Sequence, residues 1–244
     1  MVAFKEYFDE KLAQILADKI IQVYPQFDTK TFLTRTRVQV RDLELKARIE
    51  VITDLLHELL PQAYPKALDI LVQILGEENQ KETGMFTEFY WIMPIAFFVE
   101  KYGVSHVSES IKALEEITKR NTSEYAVRPF IRTYPQKMLK THVTWSKSQN
   151  VHVRRLASEG LRPKLPWATK LDVFTITEIL PVLENLKEDS SKFVQKSVAN
   201  TLRDYCKIQP KETLHILQKW SKSTNPHTKW IVKHAIRKNL ISLP

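Results

Sequence analysis

PQKMLKTHVTWSKSQNVH, residues 135–152, returns as PKETLHILQKWSKSTNPH, residues 210–227. The leading proline, the run Trp-Ser-Lys-Ser, the asparagine and the histidine recur at an offset of 75. A shorter echo lies between them, with Val153-Arg154-Arg155 set against Val194-Gln195-Lys196 at an offset of 41. Two helix pairs therefore fit in one long period. Periods near 34–41 residues mark an α-solenoid of HEAT or armadillo character, because a single hairpin cannot bury its apolar face without a stacked neighbour. In such an array the second helices share one face, usually concave.

The segment joining the copies, NVHVRRLASEGLRPKLPW at 150–167, shows how one second helix is built. Val153, Leu156, Ala157, Gly160 and Leu161 fall at i, i+3, i+4, i+7 and i+8, a single buried stripe. Arg155, Glu159 and Arg162 line another face. Shifting those three by 41 gives Lys196, Asn200 and Arg203; shifting them by 75 gives Trp230, His234 and Arg237. Three parallel rows result, with a cation or aromatic first, a polar centre, then arginine. Only Glu159 among the three centres is anionic. A lone carboxylate among cations suits a partner that is a polyanion and also carries or develops positive charge.

The rest of the chain fits an all-α fold. Four glycines in 244 residues are too few for the turns of a β-rich protein. Helical periodicity predicts helices over 3–23, 29–40, 43–60, 64–79, 87–102, 105–119, 123–132, 135–148, 150–161, 172–187, 190–206, 210–222 and 226–240. Asp42, Thr122/Ser123 and Ser190/Ser191 stand where N-caps are expected, and Pro135, Pro210 and Pro226 in first turns. The expected architecture is one α-helical repeat domain over 1–244, an α-solenoid of HEAT-like repeats with a concave basic face. Residues 1–85 supply N-terminal helices and 86–244 the core repeats. Trp145, Trp220, Trp91 and the aromatic run 86–98 read as packing.

No apolar run approaches the roughly 18 residues of a membrane span. MVAFKEYFDEKL lacks a signal-peptide core, and the lone Cys206 excludes an internal disulfide. No His/Cys cluster has zinc spacing, so neither metal nor cofactor is expected. These features predict a cytoplasmic, nucleoid-associated monomer. Residues 1–118 carry 13 Lys/Arg against 19 Asp/Glu, whereas 119–244 carry 24 against 9. The basic half is suited to phosphates; a merely solvated basic face is the plainer alternative.

Several stretches resemble the DNA alkylation repair glycosylases of the AlkC/AlkD type, AlkC more closely. They are FTEFYWIMP at 86–94, FFVEKYG at 97–103, TSEYAVRPFI at 122–131, NVHVRRLASEGLRPKLPWA at 150–168, EDSSKFVQKSVANTLRD at 188–204 and WIVKHAIR at 230–237. The most specific is RRLASEG-x-RPxLPW; residues 1–85 are only loosely similar. The resemblance implies a HEAT-type solenoid gripping bent duplex DNA and hydrolysing the N-glycosidic bond of cationic alkylated bases such as N3-methyladenine. Such bases are good leaving groups, so a carboxylate near C1′ that stabilises an oxocarbenium-like state and orients water is the chemistry required.

On that resemblance Glu159, Glu124 and Asp204 are the candidate catalytic acids and Trp167, stiffened by Pro163 and Pro166, the ring that stacks on the lesion. Arg128, Arg154, Arg155, Arg162, Lys196, Asn200, Arg203, Lys233, His234 and Arg237 are the candidate DNA contacts. Each has a plainer reading: Glu159 pairing at the surface with Arg155 or Arg162, Glu124 stabilising a helix dipole, Asp204 pairing with Arg203 or Lys207, Trp167 capping the core. Two departures stand out. Gln195-Lys196 replaces a frequent arginine pair, and the C-terminal β-domain of some relatives is not expected here. A non-catalytic binder of bent or branched DNA and a HEAT-type protein scaffold are the alternatives.

Overall fold

The computed structural model describes residues 3–84, 87–165 and 168–236. Trp167 and Arg237 lie outside the described residues. Every regular element described is helical, with no strand among the described residues. The chain divides into two compact units. One comprises the chain up to Gln80 together with Gly84–Ala126; the other comprises Lys81–Thr83 and the chain from Val127 onward.

The first unit holds α1 (Glu10–Val23), α2 (Thr29–Gln39), α3 (Leu45–Leu59), α4 (Tyr64–Gln73), α5 (Met93–Tyr102) and α6 (Val107–Thr118). α1 packs on α2, α2 on α3, α3 on α5, and α5 and α4 on α6. Asp9 caps α1, accepting from the Lys11 and Leu12 amides, so the predicted 3–23 helix is interrupted just before it.

Two predicted starts are corrected. Asp42 caps nothing: it sits at φ 57°, a left-handed conformation that aspartate tolerates, and the helix begins two residues past Leu43. The helix predicted from 123 begins instead at Arg128. The Ser123 hydroxyl is turned to Thr118 Oγ1 and is unavailable to cap a helix. Pro129, in the first turn of the helix that does form, presets its backbone there.

The second unit holds α7 (Arg128–Thr133), α8 (Pro135–Trp145), α9 (Val151–Glu159), α10 (Ile176–Leu186), α11 (Lys192–Ile208), α12 (Pro210–Ser221) and α13 (Pro226–Ile236). It is built in two layers. The first helices α8, α10 and α12 neighbour one another, as do the second helices α9, α11 and α13. Val153, Leu156, Ala157, Gly160 and Leu161 are all buried, as their spacing predicts. Val153, Leu156 and Leu161 each contribute about 1.5–3 kcal/mol on leaving water. Trp145 and Trp220 are buried at the ends of α8 and α12, and Trp220 Nε1 donates to Glu184 at 2.9 Å.

The repeat is visible as repeated capping. Asn150 Oδ1 accepts the amides of His152 (2.9 Å) and Val153 (3.3 Å) at the start of α9. Ser191 Oγ does the same for Phe193 (3.1 Å) and Val194 (3.3 Å), and Asn225 Oδ1 for His227 (2.8 Å) and Thr228 (3.3 Å). Two residues earlier, Ser148, Asp189 and Ser223 accept the amide of each capping residue at 3.2, 2.9 and 3.1 Å. These caps recur at the offsets of 41 and 34 read from the sequence, and each satisfies helix amides that would otherwise be orphaned.

A second recurrent device locks the turn before each cap. Arg154 Nη1 reaches back to the carbonyls of Ser148 (3.0 Å) and Gln149 (2.9 Å). Gln195, 41 residues on, reaches the carbonyls of Asp189 (2.7 Å) and Ser190 (3.3 Å), the same two steps back along the chain.

Candidate nucleic-acid interface and its buried acids

Glu159 is the last residue of α9, and its side chain does not lie on an open face. It is 5 % exposed. Arg162 Nη1 donates to Glu159 Oε1 at 2.6 Å, and Arg155 Nη2 lies 3.7 Å from the same oxygen. Burial alone would push the carboxyl upward, but the Arg155 and Arg162 charges, helped by the Ser197 hydroxyl facing it, hold it below the usual carboxylate range. Glu159 is therefore a buried anion at neutral pH. The reading of Glu159 as a surface pair has the right partners and the wrong depth.

Asp204, on α11, is drawn to the same place. Arg162 Nε donates to Asp204 Oδ2 at 2.8 Å. Its partner is thus Arg162, neither Arg203 nor Lys207. Burial opposes the Arg162 charge, but Glu159 and Asp204 together raise the guanidinium above its ordinary pKa. Arg155 also lies 4.7 Å above the ring of Phe193, so its guanidinium is held by an aromatic face and a carboxylate together. His152 meets the same ring edge-on.

The other two rows continue along α11 and α13. Lys196 is exposed, Asn200 is half-buried, and Arg203 Nη1 donates to Asn200 Oδ1 at 2.9 Å. Arg203 Nη2 also donates to the His234 carbonyl, joining the second row to the third. His234 stacks on Trp230, with centroids 3.5 Å apart and rings 17° from parallel, and its Nδ1 lies 3.0 Å from the Trp230 carbonyl. Lys192 Nζ sits 4.3 Å above the indole, while Lys233 is exposed.

Arg154 and Arg128 depart from the role expected of phosphate contacts. Arg154 is committed to the turn before α9 and to Asp189, with Nε 2.6 Å from Oδ2. Its counterpart Gln195 is fully buried. Position 195 is thus an internal brace, and exchange of an arginine for glutamine there removes no surface cation. Arg128 is 1 % exposed, and its Nη1 and Nη2 donate to the carbonyls of Thr169 (2.9 Å) and Arg162 (2.6 Å). A guanidinium sunk to that depth has no surface to offer a phosphate.

Glu124 belongs to the first unit. It does not open a helix as expected; it lies in the buried turn between α6 and α7, beside Tyr125, whose phenol burial pushes far up with the Glu100 and Glu124 charges adding to the shift. A cleft of about 600 Å³ between α10 and α12, lined by Thr177, Leu180, Leu214 and His215 among others, lies on helices that carry none of the candidate acids.

The sequence reasoning missed three features of this site. Phe193 is the platform for Arg155, and its only sequence signal is that it follows His152 by one repeat. Ser158 and Thr201 share a buried hydroxyl pair, 2.9 Å apart, that ties α9 to α11. His142 is fully buried, its Nδ1 2.8 Å from the Ala157 carbonyl, and burial lowers it to about 4. It packs against Gly160, where a Cβ would stand 2.8 Å from His142 Cε1 and 3.0 Å from Val127 Cγ2. Glycine at 160 answers a close approach, with no unusual backbone.

The comparisons with known proteins agree with this architecture. Over 242 residues the chain is 40% identical to YhaZ of Bacillus subtilis (strain 168), an uncharacterized protein, covering 97% of this chain and 64% of that one. It superposes on Pseudomonas fluorescens alkylpurine DNA glycosylase AlkC, bound to DNA containing an abasic site analog, with a TM-score of 0.87 and 34% identity, again covering 97% and 64%. The chain thus spans just under two thirds of the length of both. AlkD2 from Streptococcus mutans shares the helical repeat fold at a TM-score of 0.57 and 20% identity, over 88% of this chain and 99% of that one. A family model described as DNA alkylation repair enzyme matches residues 106–238, more than half of the sequence and all of the three rows. The chain belongs to the DNA alkylation repair enzyme family.

Proposed function

We propose that the protein is a DNA glycosylase that hydrolyses the N-glycosidic bond of cationic alkylated bases, such as N3-methyladenine, in duplex DNA. The observation that carries this reading is the buried, ionised Glu159, set between two arginines with Asp204 on the same guanidinium. The likeness to an alkylpurine DNA glycosylase supports it. A cationic base departs with the C1′–N electron pair and becomes neutral, so no strong general acid is needed. Positive charge then develops on the sugar, where a carboxylate fixed in a low-dielectric setting stabilises it more than water would. Water adds to C1′ and gives its proton to a carboxylate. Glu159 is suited to the first task and Asp204, the more exposed at 15 % against 7 % of the side chain, to the second. Arg155, Lys196, Arg203, Lys233 and His234 are assigned to the phosphate backbone.

Incubation with methylated duplex DNA tests the reading. The wild type should release free N3-methyladenine, with the rate falling about 100-fold or more in Glu159→Gln and less in Asp204→Asn. Wild-type release no greater than that of the double variant refutes it. The occupied state of both acids favours a second reading, a DNA binder that uses them only to brace α9 against α11. That reading gains if branched duplexes bind tightly, salt-dependently and equally well to Glu159→Gln.

A further inference from the structure

The two candidate acids come from different helices, and one guanidinium joins them. Arg162 follows α9, donating through Nη1 to Glu159 and through Nε to Asp204 on α11. All three side chains are at least four-fifths buried. Arg162 is itself tethered, because its carbonyl accepts from Arg128 Nη2 at 2.6 Å. Arg128, in turn, is anchored to the carbonyl of Thr169. The guanidinium that holds the acids thus stands on a buried scaffold. From this we propose that Arg162 is a positioning residue, fixing Glu159 and Asp204 as one anionic pair, and that Arg128 acts behind it by fixing Arg162. This rests on the glycosylase reading for its catalytic consequence, and on geometry alone for the placement of the acids.

The arrangement differs from a phosphate clamp in what it does to charge. The charged groups facing Glu159 are Arg155 on its own helix, Arg162 beyond it and Asp204 from α11. α8 brings the neutral His142 against Ala157 and Gly160, and the buried residues of α10 are all apolar. Removing Arg162 therefore leaves Glu159 with Arg155, at 3.7 Å, and the Ser197 hydroxyl, and leaves Asp204 without its neutralising partner. Both changes favour protonation of Glu159. A lysine at 162 offers one compact ammonium in place of a fork, and so reaches one carboxylate at a time.

The test measures single-turnover base release against pH, the salt dependence of binding to a duplex with an abasic-site analogue, and the 13C carboxyl titration of Glu159, in the wild type, Arg162→Gln, Arg162→Lys and Arg128→Lys. Arg162→Gln should move the Glu159 midpoint and the acid limb of the rate upward by about one pH unit and slow release about tenfold at neutral pH. Its salt slope should remain that of the wild type. Arg162→Lys should recover part of the rate, and Arg128→Lys should shift the midpoint in the same direction by less. A salt slope reduced by about one, with an unmoved Glu159 midpoint, overturns the proposal in favour of a phosphate contact. A lowered melting temperature with an unmoved midpoint overturns it in favour of bracing alone. A shifted midpoint in a protein that releases no base upholds the positioning and refutes the glycosylase reading, so the two failures are separable.

Discussion

The two ends of α9 carry the same chemistry and do different work. At its start, Arg154 meets one carboxylate, Asp189, and two carbonyls of the preceding turn. At its finish, Arg162 meets two carboxylates, and one of them already has Arg155. The first arrangement is a fastening: charge is balanced one to one, and the geometry is shared with Gln195, which carries no charge at all. The second concentrates two anions on two cations, a grouping that stability alone does not require, since buried ion pairs are poor stabilisers once desolvation is counted. Two arginines eight residues apart thus separate into one that fastens the turn of its repeat and one that gathers two acids from different helices.

The end near Glu159 should be the less forgiving of change, and the largest effect expected there comes from acidity. His142 is neutral in the fold, with its pKa lowered to about 4, and protonates near 6.5 when unfolded. The unfolded chain therefore binds the extra proton between these values, and stability is complete above about 6.5 and lost as pH falls towards 4. The loss due to this one group is about 3 kcal/mol. Urea denaturation at pH 7 and pH 4.5 should show it, and His142→Leu should flatten the difference; an equally steep acid loss in that variant assigns the effect elsewhere.

A smaller penalty is expected from Gly160→Ala. The new methyl meets His142 and Val127 at or below 3.0 Å, and overpacking of this kind costs about 2 kcal/mol. A melting temperature within a degree of the wild type would mean that α8 yields freely, and would blur the contrast between the two ends. The smallest effect belongs to the start of the helix. Arg154→Gln reproduces the chemistry found at 195 and should cost about 1.5 kcal/mol, since the buried Asp189 loses its cation but keeps the Ser191 amide. DNA affinity and its salt slope should stay unchanged, because this arginine faces the turn. A reduced salt slope would return Arg154 to the phosphate contacts.

How much of this was legible in the residues follows the same division. The helices and the repeat could be read because caps and apolar stripes are local: Asn150, Ser191 and Asn225 bond amides two and three residues away. Asp42 and Ser123 show where local reading fails, since each has a cap's side chain and a conformation or partner that prevents its use. The rows of the candidate interface were also legible, because stacking at a fixed offset brings equivalent positions together. Depth was not. Arg155, Glu159 and Arg162 spell an exposed i, i+4 pair and a buried ionic cluster with the same letters, and only the approach of α11, carrying Ser197 and Asp204, distinguishes them. The offset of 41 likewise aligned Arg154 with Gln195 but could not disclose that both serve backbone carbonyls.

Each hairpin of the second unit brings its own cap, the acceptor two residues ahead of it and, in two of the three described, its own reach-back latch. A neighbour adds a surface to stack on and a few side-chain bonds, such as Arg162 to Asp204 and Trp220 to Glu184. Such an array is modular: a hairpin can be gained or lost at an end with little redesign of those that remain, because the caps and latches bond groups a few residues away. Length then becomes an evolutionary variable separate from chemistry. The acids on α9 and α11 occupy one junction between neighbouring helices, and lineages that lengthen or shorten the array elsewhere can keep that junction intact.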